Sequence, residues 1–258
     1  MASAEEGWWE VERARWIRQR VVALAAPGSV ILDVGCGRGS MLGDGAIRGR
    51  VVINVDSHRW SNWRAQGSVH FVVASADALP FRDHAFDLVG SFDVLEHLAD
   101  DQASLREQAR VVHAGGQVVA AVPADLRLWS AHDVAVGHVR RYDRNSIVDS
   151  AAYSGLSISR STAFFSFLWL PAYLTRRRSV RQSEPGNGTS ITSRIARAAI
   201  SLLAAAERGL LRRWRLPLGT SLWIEASPAP SNLAATVDGA GETSSLTSAA
   251  RERQVARA

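Results

Sequence analysis

Short apolar runs alternate with segments of helical spacing over the first half of the chain. The apolar runs are rich in Val, Ile, Leu and Phe, which is typical of buried strands, and they occupy 30–34, 51–55, 69–74, 86–91 and 117–122. Helical spacing covers 8–26 and 94–113. Strands that alternate with helices form βαβ units, so we predict a parallel sheet with helices on both faces.

The second half predicts a helix at 144–155, a strand at 156–165, an amphipathic helix at 194–216 and a last strand at 221–226. One side of the amphipathic helix is apolar and consists of Ile195, Ala199, Leu202, Leu203, Ala206 and Leu210. Its other side carries Arg194, Arg197, Ser201, Arg208 and Arg212. The predicted fold is therefore an α/β doubly wound, seven-stranded, mostly parallel sheet with an arginine-rich helical insertion before the last strand.

The same pattern predicts the domain organisation. Residues 1–29 form an N-terminal helical cap, and residues 30–226 form one domain with an insertion at 163–216. Residues 227–258 are rich in Pro, Ser, Ala, Thr and Gly, which predicts a disordered tail.

Composition excludes several kinds of chemistry. The chain has 258 residues, of which 47% are hydrophobic, and Cys36 is its single cysteine, which excludes a disulfide framework and a cysteine-based zinc cluster. Lysine is absent, so Schiff-base chemistry and a P-loop lysine are excluded as well. The acidic start has no apolar signal segment, and no run reaches the roughly 20 apolar residues of a membrane span. We expect a cytoplasmic protein.

Positive charge is concentrated in one segment. Residues 174–215 hold ten arginines against two acids, whereas acids outnumber arginines in the rest of the chain. This distribution argues against general nucleic-acid binding. One hypothesis is that the insertion at 163–216 contacts an anionic membrane or receives a long apolar substrate. The alternative is a lid or a dimer contact with a solvated basic face.

The first strand ends in a glycine-rich turn, Gly35-Cys36-Gly37-Arg38-Gly39. Glycine permits positive φ and a close approach of the backbone to a ligand. Asp56 ends the second strand, where a doubly wound sheet places an acid against ribose hydroxyls. A dinucleotide-binding turn needs Gly or Ala where this chain has Ser40, which counts against NAD or FAD.

Four spaced motifs resemble the class I S-adenosylmethionine-dependent methyltransferases, in particular small-molecule and quinone-type bacterial members. The segment 32–39 is similar to the family's first motif, and 75–81 with 86–89 are similar to its third and fourth. The segment 92–98 looks like the one after strand four, and elements near both termini look like those of uncharacterised bacterial relatives.

The resemblance implies S-adenosylmethionine as cofactor. Asp33 and the turn would hold its methionine end, Asp56 both ribose hydroxyls, and Asp77 with the Ala78 amide the adenine. The cofactor-binding residues implied are Asp33, Gly35, Cys36, Gly37, Gly39, Asp56, Ser57, Asp77, Ala78, Ser91 and Phe92. Trp8 and Trp9 would either close over the site or anchor the first helix.

Several methyltransferase subclasses can be excluded. Cys36 lies in the cofactor turn, so covalent attack on a pyrimidine is excluded, and the absence of lysine excludes a lysine-centred tetrad. Methyl transfer requires an aligned nucleophile that loses a proton. Histidine suits this task, and we select His97 and His138 from the candidate bases His97, His132, Asp133 and His138.

Two neighbouring features leave alternatives open. Arg140 and Arg141 would either hold an anionic group of the substrate or form salt bridges with Asp133 or Asp143. The pattern Asp93-x-x-Glu96-His97, with His138, could chelate Mg²⁺ as an E-x-x-E-H pattern does in some relatives, but Asp replaces the first Glu and we predict no metal.

The resulting hypothesis is methyl transfer to O, N or C of a small-molecule or lipid-linked acceptor, with no DNA partner. The alternatives are a non-catalytic cofactor-binding partner protein and an RNA methyltransferase that uses the basic segment. The second alternative lacks a recognisable RNA-binding module.

Overall fold

The computed structural model describes residues 8–39, 41–42, 47–65, 67–179 and 194–229. Its helices are α1 (Trp8–Leu24), α2 (Asp101–Val111), α3 (Ala131–Ala135), α4 (Arg144–Tyr153), α5 (Trp169–Ser179) and α6 (Arg194–Leu211). Its strands are β1 (Val30–Val34), β2 (Val51–Asp56), β3 (Val69–Val73), β4 (Phe86–Phe92), β5 (Val112–Pro123), β6 (Leu156–Phe164) and β7 (Ser221–Pro228).

The seven strands form one sheet in the order β3-β2-β1-β4-β5-β7-β6. All neighbouring pairs are parallel except those that involve β7, which runs antiparallel to β5 and β6. The strand order reverses between β1 and β4, and ligands of open α/β sheets bind at the carboxyl ends of the strands beside such a reversal. The predicted doubly wound, seven-stranded fold is confirmed.

Two apolar cores lie on opposite faces of the sheet. On one face, Leu105 of α2 and Ile147 of α4 pack against the strands. On the other face, Trp16 of α1 and Leu211 of α6 pack with Trp223 of β7. The strands β1 and β2 are buried along almost their whole length, as expected of strands covered on both faces.

The segment around the fourth and fifth strands differs from the prediction. The helix predicted at 94–113 is a short 3₁₀ helix, Leu95–His97, followed by α2, because Asp100 caps α2 by accepting from the Ala103 amide at 2.9 Å. Strand β5 begins at Val112, opposite Phe86, and continues through the two glycines that were expected to precede it.

The insertion at 163–216 contains α5, which periodicity did not indicate, and α6. Helix α6 ends at Leu211 rather than at 216, because Leu216 pairs with Ala163 and precedes a proline, which disfavours helical backbone. Strand β7 runs two residues past the predicted end at 226. Residues 1–7 of the predicted cap, Ser40, residues 180–193 and the predicted tail from 230 onward lie outside the described residues, as do the side chains of Trp8, Arg194, Ile195 and Arg197.

Candidate functional site

The glycine turn after β1 adopts a conformation that L side chains rarely permit. Gly35, Gly37 and Gly39 have φ values of +72°, +54° and +77°. A Cβ on Gly35 would lie 2.4 Å from Val94 Cγ2, so the segment after β4 packs directly against this turn. A Cβ on Gly37 would meet nothing within 4 Å, which leaves open space beside the middle of the turn.

Asp56 at the end of β2 connects the glycine turn after β1 to the loop after β2. Its Oδ2 accepts from the Gly37 amide at 2.8 Å, and its Oδ1 accepts from the His58 amide at 2.9 Å. A carboxylate offers about four lone-pair positions, so Asp56 keeps acceptor capacity for a ligand. Ser57 is exposed beside it.

Asp33 of β1 is a buried acid, and the described part of the chain provides no counterion for it. It is 1% exposed, and its Oδ2 has no hydrogen-bond partner among the described residues. Burial and, to a smaller extent, the charge of Asp56 raise the pKa of Asp33 to about 8. Burial and the same two acids also raise the pKa of the Cys36 thiol. A cationic ligand group beside Asp33 would relieve this cost.

The other predicted cofactor residues follow β3 and β4. Ser75 donates its hydroxyl to exposed Asp77, and the Ala78 amide donates to the Ser75 carbonyl at 3.2 Å in a tight turn. Ser91 is fully buried, and its Oγ has no partner among the described residues. The Phe92 ring packs parallel to Trp223 at 6.1 Å on the α1 side of the sheet.

Two tryptophans in the loop after β2 were not anticipated. Trp63 donates from Nε1 to the Gly37 carbonyl at 2.8 Å and stacks on Phe71, whose centroid lies 4.8 Å away. Arg38 lies over the Trp60 ring at 5.3 Å. The aromatic content of 60–63, soon after Asp56, is a signal in the sequence that could have placed this loop beside the turn.

Helix α1 contributes a buried arginine to the same edge of the sheet. Arg13 is 4% exposed, donates from Nε to Asp93 Oδ2 at 2.7 Å and also pairs with Asp93 Oδ1. It donates further to Ser221 Oγ and lies over the Phe164 ring at 5.2 Å. Asp93 has a φ of +58°, an uncommon conformation for a non-glycine residue. Arg13 therefore fixes the position of the segment that follows β4.

His97 and His138, the two predicted catalytic residues, come together 41 positions apart in the chain, with ring centroids 4.8 Å apart. His138 Nδ1 lies 2.9 Å from Asp133 Oδ1, while exposed His97 has Nδ1 3.3 Å from the Gly137 carbonyl. His132, the other candidate histidine, is exposed on α3.

Asp133 is the polar centre of this cluster. Fully buried, it accepts from Arg141 Nε at 2.7 Å and from the Ser130 amide and hydroxyl at 2.8 and 3.0 Å. Burial alone would raise the pKa of Asp133, but its hydrogen bonds to Arg141, His138 and Ser130 outweigh burial and lower it. Burial is the main cause that lowers the pKa of His138. The cluster thus combines an ionised carboxylate with a neutral imidazole at neutral pH.

The two arginines after this cluster are used internally. Arg141 bonds Asp133 and the Ala124 carbonyl, and Arg140 pairs with Asp101 at 2.8 Å and with the carbonyls of 98 and 99. These contacts favour the structural alternative over recognition of a substrate anion. For Arg140 the acidic partner is Asp101 rather than the expected Asp133 or Asp143.

Glu96 lies between the histidines and Asp93. It is fully buried, neither carboxylate oxygen has a hydrogen-bond partner among the described residues, and Oε1 is 3.9 Å from His138 Nε2. Burial and the Asp93 charge hold the pKa of Glu96 well above its usual range. Glu96, His97 and His138 offer ligand atoms within 4.8 Å of one another, while both Asp93 oxygens are engaged by Arg13. The absence of a metal stays a prediction.

Comparison with known proteins identifies the domain that carries this geometry. Residues 32–120 match a family model described as "Methyltransferase domain". The chain contains a methyltransferase domain. The family expected from the four motifs is thereby confirmed, and the matched residues span β1 to β5, including the glycine turn, Asp56 and both ends of β4.

Curated relatives of this methyltransferase domain match part of the chain. "O-methyltransferase cnsE" from Penicillium expansum is 32% identical over 123 residues, which are 43% of this chain and 45% of that protein. "Ubiquinone/menaquinone biosynthesis C-methyltransferase UbiE" from Vibrio parahaemolyticus is 33% identical and covers 37% of this chain and 41% of that protein. "Ubiquinone biosynthesis O-methyltransferase" from Pseudomonas putida is 31% identical, with 43% and 55% covered. The chain spans about half the length of the curated relatives it matches.

Solved structures of the same fold cover more of the chain. Geranyl diphosphate C-methyltransferase from Streptomyces coelicolor A3(2) superposes with a TM-score of 0.56 at 16% identity and covers 85% of this chain and 79% of that chain. The [4+2]-cyclase SpnF superposes with a TM-score of 0.55 at 18% identity, with 87% and 85% covered. At these identities the superpositions show the class I methyltransferase fold alone, and a cyclase among them illustrates that fold does not fix function.

Proposed function

We propose that the protein is an S-adenosylmethionine-dependent methyltransferase that methylates O, N or C of a small-molecule or lipid-linked acceptor. The observation that carries the proposal is the glycine turn facing Asp56 at the ends of β1 and β2, with the buried acid Asp33 beneath it. The O- and C-methyltransferase names of the curated relatives support the same class of reaction.

The residues of this edge fit the cofactor. The Asp33 carboxylate, without a partner at Oδ2, would bind the methionine ammonium, and the free lone pairs of Asp56 would accept from both ribose hydroxyls. The exposed acid Asp77 would accept from the adenine amino group, and the Gly37 position leaves room for close approach. When bound, the cofactor supplies an activated methyl group on a positively charged sulfur.

His138 is the base that the arrangement favours. Because Asp133 is ionised, His138 keeps its proton on Nδ1, which donates to Asp133, and Nε2 is left as the proton acceptor. Asp133 acts as a positioning residue, since it fixes the tautomer and the ring orientation. His97, whose Nδ1 faces a carbonyl, is exposed beside His138 and is the second candidate.

Exposed apolar side chains at this edge of the sheet support an apolar acceptor. Leu126, Val134 and Val139 are 67%, 65% and 56% exposed, and they belong to the segment that also carries His138. Leu170 of α5 is 55% exposed, and α5 contacts the turn at 126–128. A ring or chain that is largely hydrocarbon would bury these side chains when it binds.

Two measurements test the proposal. Calorimetry of the full chain with S-adenosylmethionine should show binding that Asp56→Ala abolishes, while NADH should not bind. Release of S-adenosylhomocysteine should then be assayed with a panel of phenols, quinols and polyprenyl acceptors. Absence of cofactor binding would overturn the proposal, and binding without turnover on any acceptor class would favour a non-catalytic binding protein.

The base is tested by a matched pair of variants on α3 and the loop after it. Loss of a general base lowers the rate by about 10²- to 10⁴-fold, so His138→Gln should reduce kcat by that factor with little change in cofactor affinity. His132→Gln, an exposed control, should leave kcat unchanged. A His138→Gln variant with normal kcat would transfer the role to His97.

A further inference from the structure

Helix α6 directs its apolar side away from the protein. Leu202, Leu203 and Leu210 are 72%, 50% and 45% exposed, and Trp214, three residues past the helix, is 64% exposed. A surface helix ordinarily packs such a side against the core. Here the residues turned inward are instead mostly small or polar, and the large apolar exceptions are Leu211, which is buried, and Ile200, which is half-buried.

Four hydrogen bonds fix this orientation. Glu12 of α1 is 4% exposed and accepts from Ser201 Oγ at 3.0 Å and from Arg208 at 2.8 Å. Glu207 accepts from the backbone amides of Phe165 and Ser166 at 2.8 and 2.7 Å. Rotating α6 to bury its leucines would break these bonds and leave the buried carboxylate of Glu12 with half-exposed Arg15 of α1 in place of two partners from α6, which costs stability. The apolar side is therefore held outward by the packing of the polar side.

Two arginines follow α6 directly, and Arg212, expected on the polar side, lies past the end of the helix. Arg212 and Arg213 are exposed, and within the described part of the chain neither has an acidic partner. Glu207 is the single acid between positions 194 and 218, and its oxygens are engaged with the 165–166 backbone. Tryptophan beside arginine at the edge of an apolar patch is the composition that suits a membrane interface, where the ring and the arginine stem lie at headgroup level.

We propose that this surface, formed by Leu202, Leu203, Leu210, Trp214, Arg212 and Arg213, docks onto a bilayer with anionic headgroups. We call it the α6 outer face. Its leucines would enter the boundary between headgroups and acyl chains, and its arginines would pair with lipid phosphates. The proposal deepens the proposed function and rests on it, since a lipid-linked acceptor is one of the acceptors proposed there. Glu207 bonds α6 to residues 165–166 at the carboxyl edge of the sheet, so the α6 outer face belongs to a helix that is attached beside the candidate site.

The alternative occupant, a second copy of the chain, fits less well. A stable protein interface uses about 20–30 residues on each side, whereas the α6 outer face offers four large apolar side chains. A two-fold interface would also bring the same arginines of both copies close together without an acid on the face to offset them. None of the helices in the described part of the chain combines the length and apolarity needed to cross a bilayer, so the contact proposed is peripheral.

Flotation of the full chain with vesicles tests the proposal. We expect binding to vesicles of equal parts phosphatidylglycerol and phosphatidylcholine at low salt, and little binding to pure phosphatidylcholine. Leu202→Ser should weaken binding about tenfold through lost apolar burial, and Arg212→Gln with Arg213→Gln about fivefold for each charge removed. The matched controls Tyr153→Ser, 77% exposed on α4, and Arg144→Gln, exposed on the same helix, should bind like the unmodified chain.

The outcomes separate this proposal from the proposed function. Cofactor affinity is measured on every variant, and we expect no change, because the α6 outer face does not touch the glycine turn. Normal cofactor affinity without vesicle binding would overturn the membrane contact alone. If the chain instead dimerised with increasing concentration, if Leu202→Ser abolished the dimer, and if no vesicle binding occurred, the membrane contact would be overturned in favour of a second copy.

Discussion

The ion pair between Arg13 and Asp93 should contribute strongly to both stability and the site. Arg13→Met keeps much of the apolar stem and removes two bonds to Asp93 and one to Ser221. Loss of one partner of a buried pair costs about 3–5 kcal/mol when the remaining charge stays buried. The Asp93 side chain is 39% exposed and can be hydrated, so we expect a smaller loss of about 2–3 kcal/mol.

Urea unfolding followed by tryptophan fluorescence measures this loss. The control is Arg106→Met, whose pair with Asp100 is 4.0 Å long and exposed, and which should cost less than about 0.5 kcal/mol. Asp93→Asn combined with Arg13→Met should cost less than the sum of the single changes, with a coupling of about 1–2 kcal/mol. If Arg13→Met lost no more stability than Arg106→Met, or if the double variant showed no coupling, the structural role assigned to the Arg13–Asp93 pair would be refuted.

Three further predictions concern the cofactor edge. Gly35→Ala should weaken cofactor binding at least tenfold because its methyl group displaces Val94, whereas Gly28→Ala, with a φ of +88° and open space, should cost only about 1–2 kcal/mol of stability. Because the pKa of Asp33 is about 8 in the free protein, cofactor affinity by calorimetry should rise about tenfold per pH unit from about pH 5.5 to 7, and Asp33→Asn should flatten this slope. Cys36, buried and with a raised pKa, should resist iodoacetamide until the chain is unfolded; rapid labelling of the native protein would contradict its placement.

The parts of the fold predicted correctly from sequence are those that local pattern determines. The apolar runs of β1, β2 and β4 end within a residue of their predicted limits, because strands buried on both faces need continuous apolar residues. The glycine turn and Asp56 lie at the ends of neighbouring parallel strands. Strand pairing alone brings them together, and no contact between distant segments is needed. Where β5 begins could not be predicted, since pairing of Val112 with Phe86 overrides the helical spacing that continues to 113, and the strand then runs through two glycines.

The remainder of the candidate site depends on contacts between distant segments. Arg13 meets Asp93 across 80 positions, and no local pattern marks which of 30 arginines enters the sheet edge. The Asp133–Arg141 bond was one of two alternatives, and the choice follows from the burial of Asp133, which requires a positive partner. Trp60 and Trp63 were visible as residues, but their place beside the glycine turn depends on the path of the loop after β2.

Helix α6 shows most clearly what periodicity leaves undetermined. Periodicity predicts that the helix has an apolar and a polar side, and both are present, but it does not determine which side the protein covers. That choice depends on Glu207 of α6 itself and on Glu12 of α1. The buried carboxylate of Glu12 binds Ser201 and Arg208, and so it selects the side of α6 that carries them. Glu12→Gln would weaken this attachment while conserving shape, so it should reduce vesicle binding by loosening α6 although it lies outside the α6 outer face. Vesicle binding and α6 protection from hydrogen exchange that both stay normal in Glu12→Gln would show that the helix is held by Ala204 and Leu211 packing instead.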